Sequence, residues 1–127
     1  MEIVEVADEK TPDHAGEKEE MRIRQKEAER LLKSWRDDAY SIALAIDGKK
    51  MDSVAFAERL EQLGIAGESH IQFIIGGSLG LDPEVLRRAD ERLSFSDMTF
   101  PHQLMRLILC EQIYRAFRII HHEPYHK

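Results

Sequence analysis

The stretch YSIALAIDGKKMDSVAFAERLEQLG, residues 40–64, decides the fold. Its first part, residues 40–46, is an almost uninterrupted apolar run, which is typical of a strand that helices cover on both faces of a parallel sheet. The Asp47-Gly48 pair predicts the end of this strand, because both residues favour turns. In residues 53–63 apolar side chains recur on one side of a helix, and the glycine that follows predicts its end. A strand followed by an amphipathic helix indicates an α/β unit.

The same alternation recurs elsewhere in the chain. The apolar run Ile71–Ile75 predicts a second buried strand, and Pro83 suits the first turn of a short helix after it. Residues 92–96 predict a further short strand. Before these elements, MEIVEV begins as a strand, and residues 17–33 carry Glu, Lys and Arg at the spacings of an exposed helix. Together they predict a single α/β domain, residues 1–127, with a mostly parallel sheet.

The segment SFSDMTFPHQLMR, residues 94–106, is unusual for a connection between a strand and a helix. Exposed connections seldom carry so many large apolar side chains, so we expect something apolar to cover this one. Thr99 is expected to cap, and Pro101 to start, a long helix that reaches about Ile120.

Composition narrows the classes of protein to consider. The net charge of -6 argues against a general polyanion binder, because non-specific affinity for nucleic acid depends on Lys and Arg. The single cysteine, Cys110, argues against a disulfide framework and zinc-type spacing, and its apolar neighbours predict that it is buried. The sequence contains no signal-peptide pattern and no apolar run of membrane-spanning length, so we expect a soluble protein of the reducing cytoplasm.

A glycine-rich loop, GGSLG, directly follows the strand Ile71–Ile75. Gly76, Gly77 and Gly80 lie where strand passes to helix, and such loops often let a nucleotide approach the backbone. The loop matches neither the dinucleotide fingerprint nor a phosphate-binding loop, so a tight structural turn is an equally good interpretation. Its location favours a ligand site, because ligands of open α/β sheets bind beyond the carboxyl ends of the strands.

Histidines are concentrated at the C-terminal end of the chain. His121, His122 and His126 raise the question of a metal site, but Pro124 breaks the helix that would align them, and we predict no metal. Arg115 follows a glutamate at the i,i+4 spacing of an ordinary surface ion pair. Taken alone, the terminal YHK is typical of a frayed end.

Three motifs together point to a family. FIIGGSLGL, LSFSDMTFPHQLMRLILCEQIYRAFRI and the terminal EPYHK resemble the RlmH family of SPOUT methyltransferases, and the resemblance covers most of the chain. It implies a homodimer whose C-terminal part forms a trefoil knot, a topology that periodicity does not suggest. It also implies methylation of N3 of a pseudouridine in the large-subunit ribosomal RNA of the assembled ribosome. The implied methyl donor is S-adenosylmethionine.

The resemblance implies which residues contact the cofactor. They lie at or just after the ends of three predicted strands and are Leu44, Gly76, Phe95, Ser96, Asp97, Met98, Thr99 and Phe100. Leu79, Phe95 and Met98 are expected to wall the adenine and the sulfonium, while backbone groups read the adenine edge. The hydroxyls of Ser96 and Thr99 are expected to bond the loop's own backbone or the ligand. A cofactor of this kind would be the apolar cover that residues 94–106 require.

For the transfer itself, the resemblance directs attention to the C-terminal tail. Tyr125 and His126 are expected nearest to the target base, with His126 as the candidate general base because histidine titrates near neutral pH. Arg115 and Arg118 are expected to hold phosphate or developing charge. We expect the tail of one subunit to complete the cofactor pocket of the other, because Pro124 hinders folding back.

The chain departs from the family pattern at its beginning, where members carry one further strand-helix unit before the segment IVEVADEK. We therefore expect an N-terminally short SPOUT domain. This departure motivates a second hypothesis, a catalytically impaired dimeric remnant that binds cofactor or RNA without turnover. A metal-dependent hydrolase is the third hypothesis, and the metal content of the purified protein would distinguish it.

Overall fold

The computed structural model describes residues 1–5, 16–76 and 80–127. Strands and helices alternate along the chain: β1 (Glu2–Glu5), α1 (Glu17–Ser34), β2 (Tyr40–Lys50), α2 (Ser53–Ile65), β3 (Ile71–Ile75), α3 (Pro83–Arg88), β4 (Glu91–Ser94) and α4 (His102–Ile120). In this part of the chain the strands form one sheet in the order β1-β3-β2-β4, and every neighbouring pair is parallel. The predicted α/β class with a parallel sheet is therefore confirmed.

Helices cover both faces of the sheet, because successive side chains of a strand point to opposite faces. In β2, Ile42 and Leu44 pack with α2 and α4, whereas Ala43 between them packs with α1 and α3. In β3, Phe73 and Ile74 divide between the two layers in the same way. Burial on both faces explains why β2 begins as an uninterrupted apolar run.

β2 continues beyond the Asp47-Gly48 pair, so the prediction that this pair ends the strand was wrong. The pairing of β2 with β4 shifts register between Leu44 and Lys49, which both align with Leu93. Gly48 lies so close to β4 that a Cβ atom there would be 2.7 Å from the backbone of Leu93. The glycine is therefore required by the close approach of two backbones, and not by a turn.

Other boundaries also differ from the predicted ones. α2 runs on through the glycine at position 64, because the buried side chain of Leu63 anchors this turn and a helical glycine costs only about 1 kcal/mol. α4 has Pro101 at its N-cap and no side-chain cap, so the prediction that Thr99 caps it was wrong. β4 ends at Ser94, which leaves the next two residues in the loop instead of the strand.

α1 is exposed on one side only. Its other side packs against the sheet and buries Ile23, Glu27, Ala28 and Leu31. Most of the charged side chains of α1 therefore lie on its outer face, while a narrow apolar stripe packs the helix against the sheet.

Hydrogen bonds between side chains and backbone groups join the elements at the end of the sheet where the strands begin. Gln72, fully buried in β3, donates from Nε2 to Ser41 Oγ at 2.7 Å and to the Arg36 carbonyl at 3.0 Å. Beside them, Arg59 Nε donates to the carboxylate of Glu91 at 3.0 Å, which ties α2 to the start of β4. These bonds tie α2 and the segment after α1 to the beginnings of β2, β3 and β4.

Candidate functional site

An open cleft of about 440 Å³ lies at the opposite edge of the sheet, where the strands end. Its walls come from the middle of β2, where the pairing with β4 shifts register, from the last residues of β3 and β4, from the loops after β3 and β4, from α3 and from the first turn of α4. These segments are far apart in the sequence, and the parallel arrangement brings their ends together. The edge is the one at which a ligand site was expected.

The cleft collects nearly all of the predicted cofactor contacts. The ones that line it are Leu44, Gly76, Phe95, Ser96, Met98, Thr99 and Phe100. Asp97 does not line it, because its carboxylate pairs with Lys50 Nζ at 2.5 Å and its side chain is largely exposed. Two other predicted members of the site, Gly77 and Leu79, lie outside the described residues.

The walls of the cleft are mainly apolar, and their shape depends on glycine. Leu44 and Leu93 form its buried base. A Cβ atom on Gly76 would be 2.8 Å from Leu81 Cδ2 and 3.0 Å from the carbonyl oxygen of Gly80. Gly80 has a φ of 81°, a conformation that favours glycine. The backbones of Gly76 and Gly80 therefore form part of one wall of the cleft.

The loop after β4 bonds part of its own backbone. Ser94 Oγ donates to the carbonyl of Ser96 at 3.0 Å, and Ser96 Oγ accepts the N–H of Met98 at 3.0 Å. Phe95 packs against the core, whereas Met98, which also lines the cleft, is 71% exposed. The expected bonding of the Ser96 hydroxyl to its own loop is confirmed.

Several lining residues were not predicted from the sequence. Asp47 contributes a carboxylate to the cleft and His102 an imidazole, and Met105 also lines it. The others are Ala45, Ile46, Ile75, Leu81, Leu86, Leu93 and Ser94. All of these residues except Leu86 lie within or beside the quoted stretches of sequence, so proximity to those stretches was the available signal.

The three predicted catalytic residues meet in a second place, on the surface of α4. Arg115 donates to Glu111 Oε1 from Nη2 at 2.6 Å and from Nε at 2.9 Å. Tyr125 donates its hydroxyl to the same oxygen at 3.1 Å, and His126 Nδ1 lies 3.0 Å from Arg115 Nη1. The ring of Tyr125 packs edge-on against Tyr114, with centroids 5.0 Å apart. We call Glu111, Tyr114, Arg115, Tyr125 and His126 the tail cluster.

Electrostatics assign a protonation state to most of this cluster. The hydrogen bond from Arg115 lowers the pKa of Glu111, and the same bond raises the pKa of the Arg115 guanidinium. The bond to Glu111 raises the pKa of Tyr125, so the phenol is neutral and donates at neutral pH. Because guanidinium only donates, His126 accepts through Nδ1, and a neutral ring then carries its proton on Nε2.

The tail cluster and the cleft lie apart within one chain. His102 lines the cleft, and Arg115 follows it thirteen residues later on the same helix. At 1.5 Å per residue, this separation is about 20 Å along the helix axis. The chain folds back past Pro124, whose carbonyl accepts from Arg118 at 3.4 Å, so the expectation that Pro124 hinders folding back was wrong. The structure therefore brings the predicted catalytic residues together, but not with the cofactor residues.

The outer side of α4 exposes large apolar side chains. They are separated by three or seven residues, which places them on one side of the helix, and are Leu104, Leu107, Tyr114 and Phe117. Cys110 lies on the same side and is exposed, so the prediction that it is buried was wrong. The neighbouring Leu109 takes the inward position and is fully buried, which turns the cysteine outward.

Two further observations concern metals and membranes. Among residues 1–5, 16–76 and 80–127, the His, Cys, Asp and Glu side chains form no group of three or more that could hold a metal ion. Within the same ranges, every helix is too short or too polar to cross a membrane.

Comparisons with known proteins place these features in context. A family model described as "Predicted SPOUT methyltransferase" matches residues 1–126. A protein of Bifidobacterium animalis subsp. lactis is 61% identical over 127 residues, covering 100% of this chain and 80% of the relative. Relatives from Bifidobacterium adolescentis and Exiguobacterium sp. are 64% and 56% identical, over 98% of this chain and 79% and 78% of their own lengths. Each of these relatives is named "Ribosomal RNA large subunit methyltransferase H".

Proposed function

Since the chain belongs to the SPOUT methyltransferase family, we propose that it methylates large-subunit ribosomal RNA with S-adenosylmethionine as methyl donor. The observation that carries this proposal is the cleft in which the middle of β2, the end of β3 and the loop after β4 bring the predicted cofactor contacts together. The names of the relatives favour an active methyltransferase over a remnant without turnover or a hydrolase. Because ribosomes are its proposed substrate, we also propose that the protein acts in the cytoplasm.

The cleft fits the proposed cofactor in size and chemistry. Its volume of about 440 Å³ falls in the range of small-molecule sites, and its walls are mainly apolar. Gly76 leaves space at one wall of the cleft, because a side chain there would collide with Leu81 and with the backbone of Gly80. Leu44, Phe95 and Met98 would hold the adenine and the sulfonium, while loop backbone groups would bond the adenine edge. The cofactor supplies an electrophilic methyl group, and the chain supplies orientation and removal of a proton.

We propose N3 of a pseudouridine as the methylated atom, as the resemblance implies. The N3 proton must leave as the methyl group arrives, and His126 is the proposed acceptor. Nδ1 of His126 is bonded to Arg115, so the imidazole becomes a base at this atom only when that contact opens. Arg115 would then be free to bind a phosphate or to stabilise the charge that develops on the pseudouridine. The phenol of Tyr125 is neutral and would orient the pseudouridine by hydrogen bonding.

We propose that the protein is a homodimer in which each tail acts at the partner's cleft. The separation of about 20 Å between the tail cluster and the cleft of one chain supports an arrangement in trans. The exposed side chains Leu104, Leu107, Tyr114 and Phe117 support α4 as the contact, because an apolar stripe of this kind marks an interaction surface. A mass of one chain across micromolar concentrations in light scattering would contradict the dimer.

The shared site is tested by mixing two inactive chains. One carries Gly76→Val in the cleft, and the other ends before Tyr125. If methylation returns when the two form heterodimers, the tail acts in trans. If heterodimers form and methylation stays absent, the tail serves its own subunit or has no role.

The C-terminal trefoil knot is also a proposal. It is supported by membership of the family and by the parallel sheet, with β4 at its edge and α4 packed back on the core. A crystal structure with bound cofactor, traced continuously through residues 71–127, would test the threading of the chain. An unthreaded path would overturn this part of the proposal.

Complementation tests the proposed function as a whole. The chain is expressed in cells that lack the native enzyme, and methylation of the large-subunit RNA is measured by mass analysis. A chain with Gly76→Val serves as the inactive control. We expect a gain of one methyl group on a pseudouridine with the unchanged chain only. Absence of this gain from a folded chain that binds S-adenosylmethionine would overturn the proposal.

A further inference from the structure

α1 carries a row of cations on the side that faces solvent. The row consists of Lys18, Arg22, Lys26, Arg30 and Lys33, which we call the basic ridge, and all of its members are exposed. Neighbours along the row are three or four residues apart. At about 100° per residue, the five side chains fall within an arc of roughly 120°. The ridge is therefore a continuous stripe and not a scatter of charges.

The ridge lies opposite the side that holds α1 on the sheet. The buried Ala28 and Leu31 pack against the sheet, so the ridge points away from it. Lys18, Arg22, Lys26 and Lys33 make no ion pair with any residue that the structure describes. Four cations of the row therefore lack a counter-charge within the described chain.

The surrounding charge makes this stripe distinctive. The chain as a whole has a net charge of -6, so a stripe of cations is not a consequence of composition. Glu29 is the one exposed acid within the arc among the described residues, and the first-turn acids Glu19 and Glu20 are half-buried. A surface of this kind attracts an anion that extends along the helix, because each cation is about 6 Å from the next along the axis.

The direction of α1 relates the ridge to the cleft. Just after the helix, Arg36 contacts Gln72 and Glu2, which lie where β3 and β1 begin. The C-terminal end of α1 is thus at the end of the sheet where the strands begin. The first turns of α1 lie toward the opposite end of the sheet, which carries the cleft. From Lys18 to Lys33 the ridge spans about 22 Å, which matches on the order of six phosphates of one nucleic-acid strand.

We propose that the basic ridge of α1 is a docking surface for the phosphate backbone of ribosomal RNA beside the target nucleotide. This inference rests on the proposed function, because it names a second contact of the same enzyme with the same substrate. The ridge reads no bases: it supplies affinity and orientation, and the cleft and tail supply the chemistry. The protein is acidic as a whole, but the cations gathered in the basic ridge would allow it to bind a polyanionic substrate.

The test uses the full chain and large ribosomal subunits from cells that lack the native methyltransferase. The ridge variant combines Arg22→Gln, Lys26→Gln and Lys33→Gln, which keep helix-forming side chains and remove three charges. We expect KM for the subunits to rise about tenfold or more, with kcat and affinity for S-adenosylmethionine unchanged. The slope of log KM against the logarithm of the salt concentration should fall by about two to three, which is about one for each phosphate contact that is lost.

Two controls separate the ridge from net charge. The variant combining Arg36→Gln, Lys49→Gln and Arg92→Gln loses the same charge elsewhere and should change KM less than about threefold. Glu29→Gln removes the acid within the ridge and should lower KM. Equal KM values for the two triple variants, with both chains folded by circular dichroism, would overturn the proposal.

Binding measurements separate this proposal from the proposed function. If the unchanged chain does not methylate but sediments with large subunits and loses this binding in the ridge variant, the docking surface stands and the proposed function falls. If it methylates and the ridge variant keeps KM and salt slope, the docking surface falls alone. If the unchanged chain neither methylates nor binds subunits, both fall. Ridge-dependent binding to phosphatidylglycerol vesicles without binding to subunits would also overturn the proposal.

Discussion

The cleft and the tail cluster are built in opposite ways. The cleft is assembled from strand and loop segments that are distant in sequence, and its walls are mainly apolar side chains and backbone. The tail cluster is assembled within α4 and the few residues after it, and charges and hydrogen bonds hold it together. The cleft should therefore respond to changes of volume, and the tail cluster to changes of charge.

The largest effect is expected from Gly76→Val in the cleft. Even a Cβ atom would be 2.8 Å from Leu81 Cδ2, so valine must displace the wall or fill the cleft. Titration calorimetry with S-adenosylmethionine should show a loss of affinity of about a hundredfold or more, as expected of a rigid site. Gly64→Ala is the matched control, because nothing lies within 4 Å of a Cβ atom there. Unchanged affinity in Gly76→Val would show that the cleft is not the cofactor site.

Gly48→Ala tests whether the cleft depends on backbone packing beneath it. A Cβ atom at position 48 would be 2.7 Å from the backbone of Leu93, which cannot rotate away. Overpacking of this kind should lower the free energy of unfolding by about 1–3 kcal/mol, measured by urea denaturation. Gly64→Ala again provides the comparison and should be neutral or slightly stabilising. A stable Gly48→Ala chain would mean that β2 and β4 separate more easily than their pairing indicates.

Glu111→Gln tests the charged half of the contrast. The substitution keeps the shape of the side chain but removes the charge that Arg115 and Tyr125 share. We expect the rate of methyl transfer to fall about tenfold, because the tail loses its fixed position, while affinity for S-adenosylmethionine stays the same. Single-turnover kinetics with excess enzyme measures the transfer. Glu58→Gln, at an exposed position of α2, is the matched control. A fall in cofactor affinity instead would mean that the two regions are coupled.

The smallest effect concerns the phenol of Tyr125. Its bond to Glu111 raises its pKa above the usual 10.0, so the folded chain prefers the neutral form. The resulting stabilisation is complete below pH 10 and is lost as the pH rises through the raised pKa. Titration of phenolate absorbance should show the Tyr125 component at higher pH in the unchanged chain than in Glu111→Gln. Identical curves would show that the tail does not hold this bond in solution.

Predictions from the sequence succeeded where one physical signal dominated. A strand buried on both faces must be apolar throughout, so Ile71–Ile75 was placed with its correct bounds. They failed where residue preference competed with packing. Asp47-Gly48 has turn chemistry, yet β4 approaches Gly48 so closely that the strand continues. Cys110 has apolar neighbours, yet the fully buried Leu109 turns it outward.

By itself, the sequence determined the order of the elements, the parallel class of the sheet and the three segments that meet at the cleft, because periodicity and glycine placement are local properties. The tertiary structure alone decided that Asp97 pairs with Lys50 away from the cleft and that the tail returns to α4. It also decided that the cations of α1 form one outward stripe. These features depend on which side of each element is covered, and coverage is set by contacts between residues far apart in the chain.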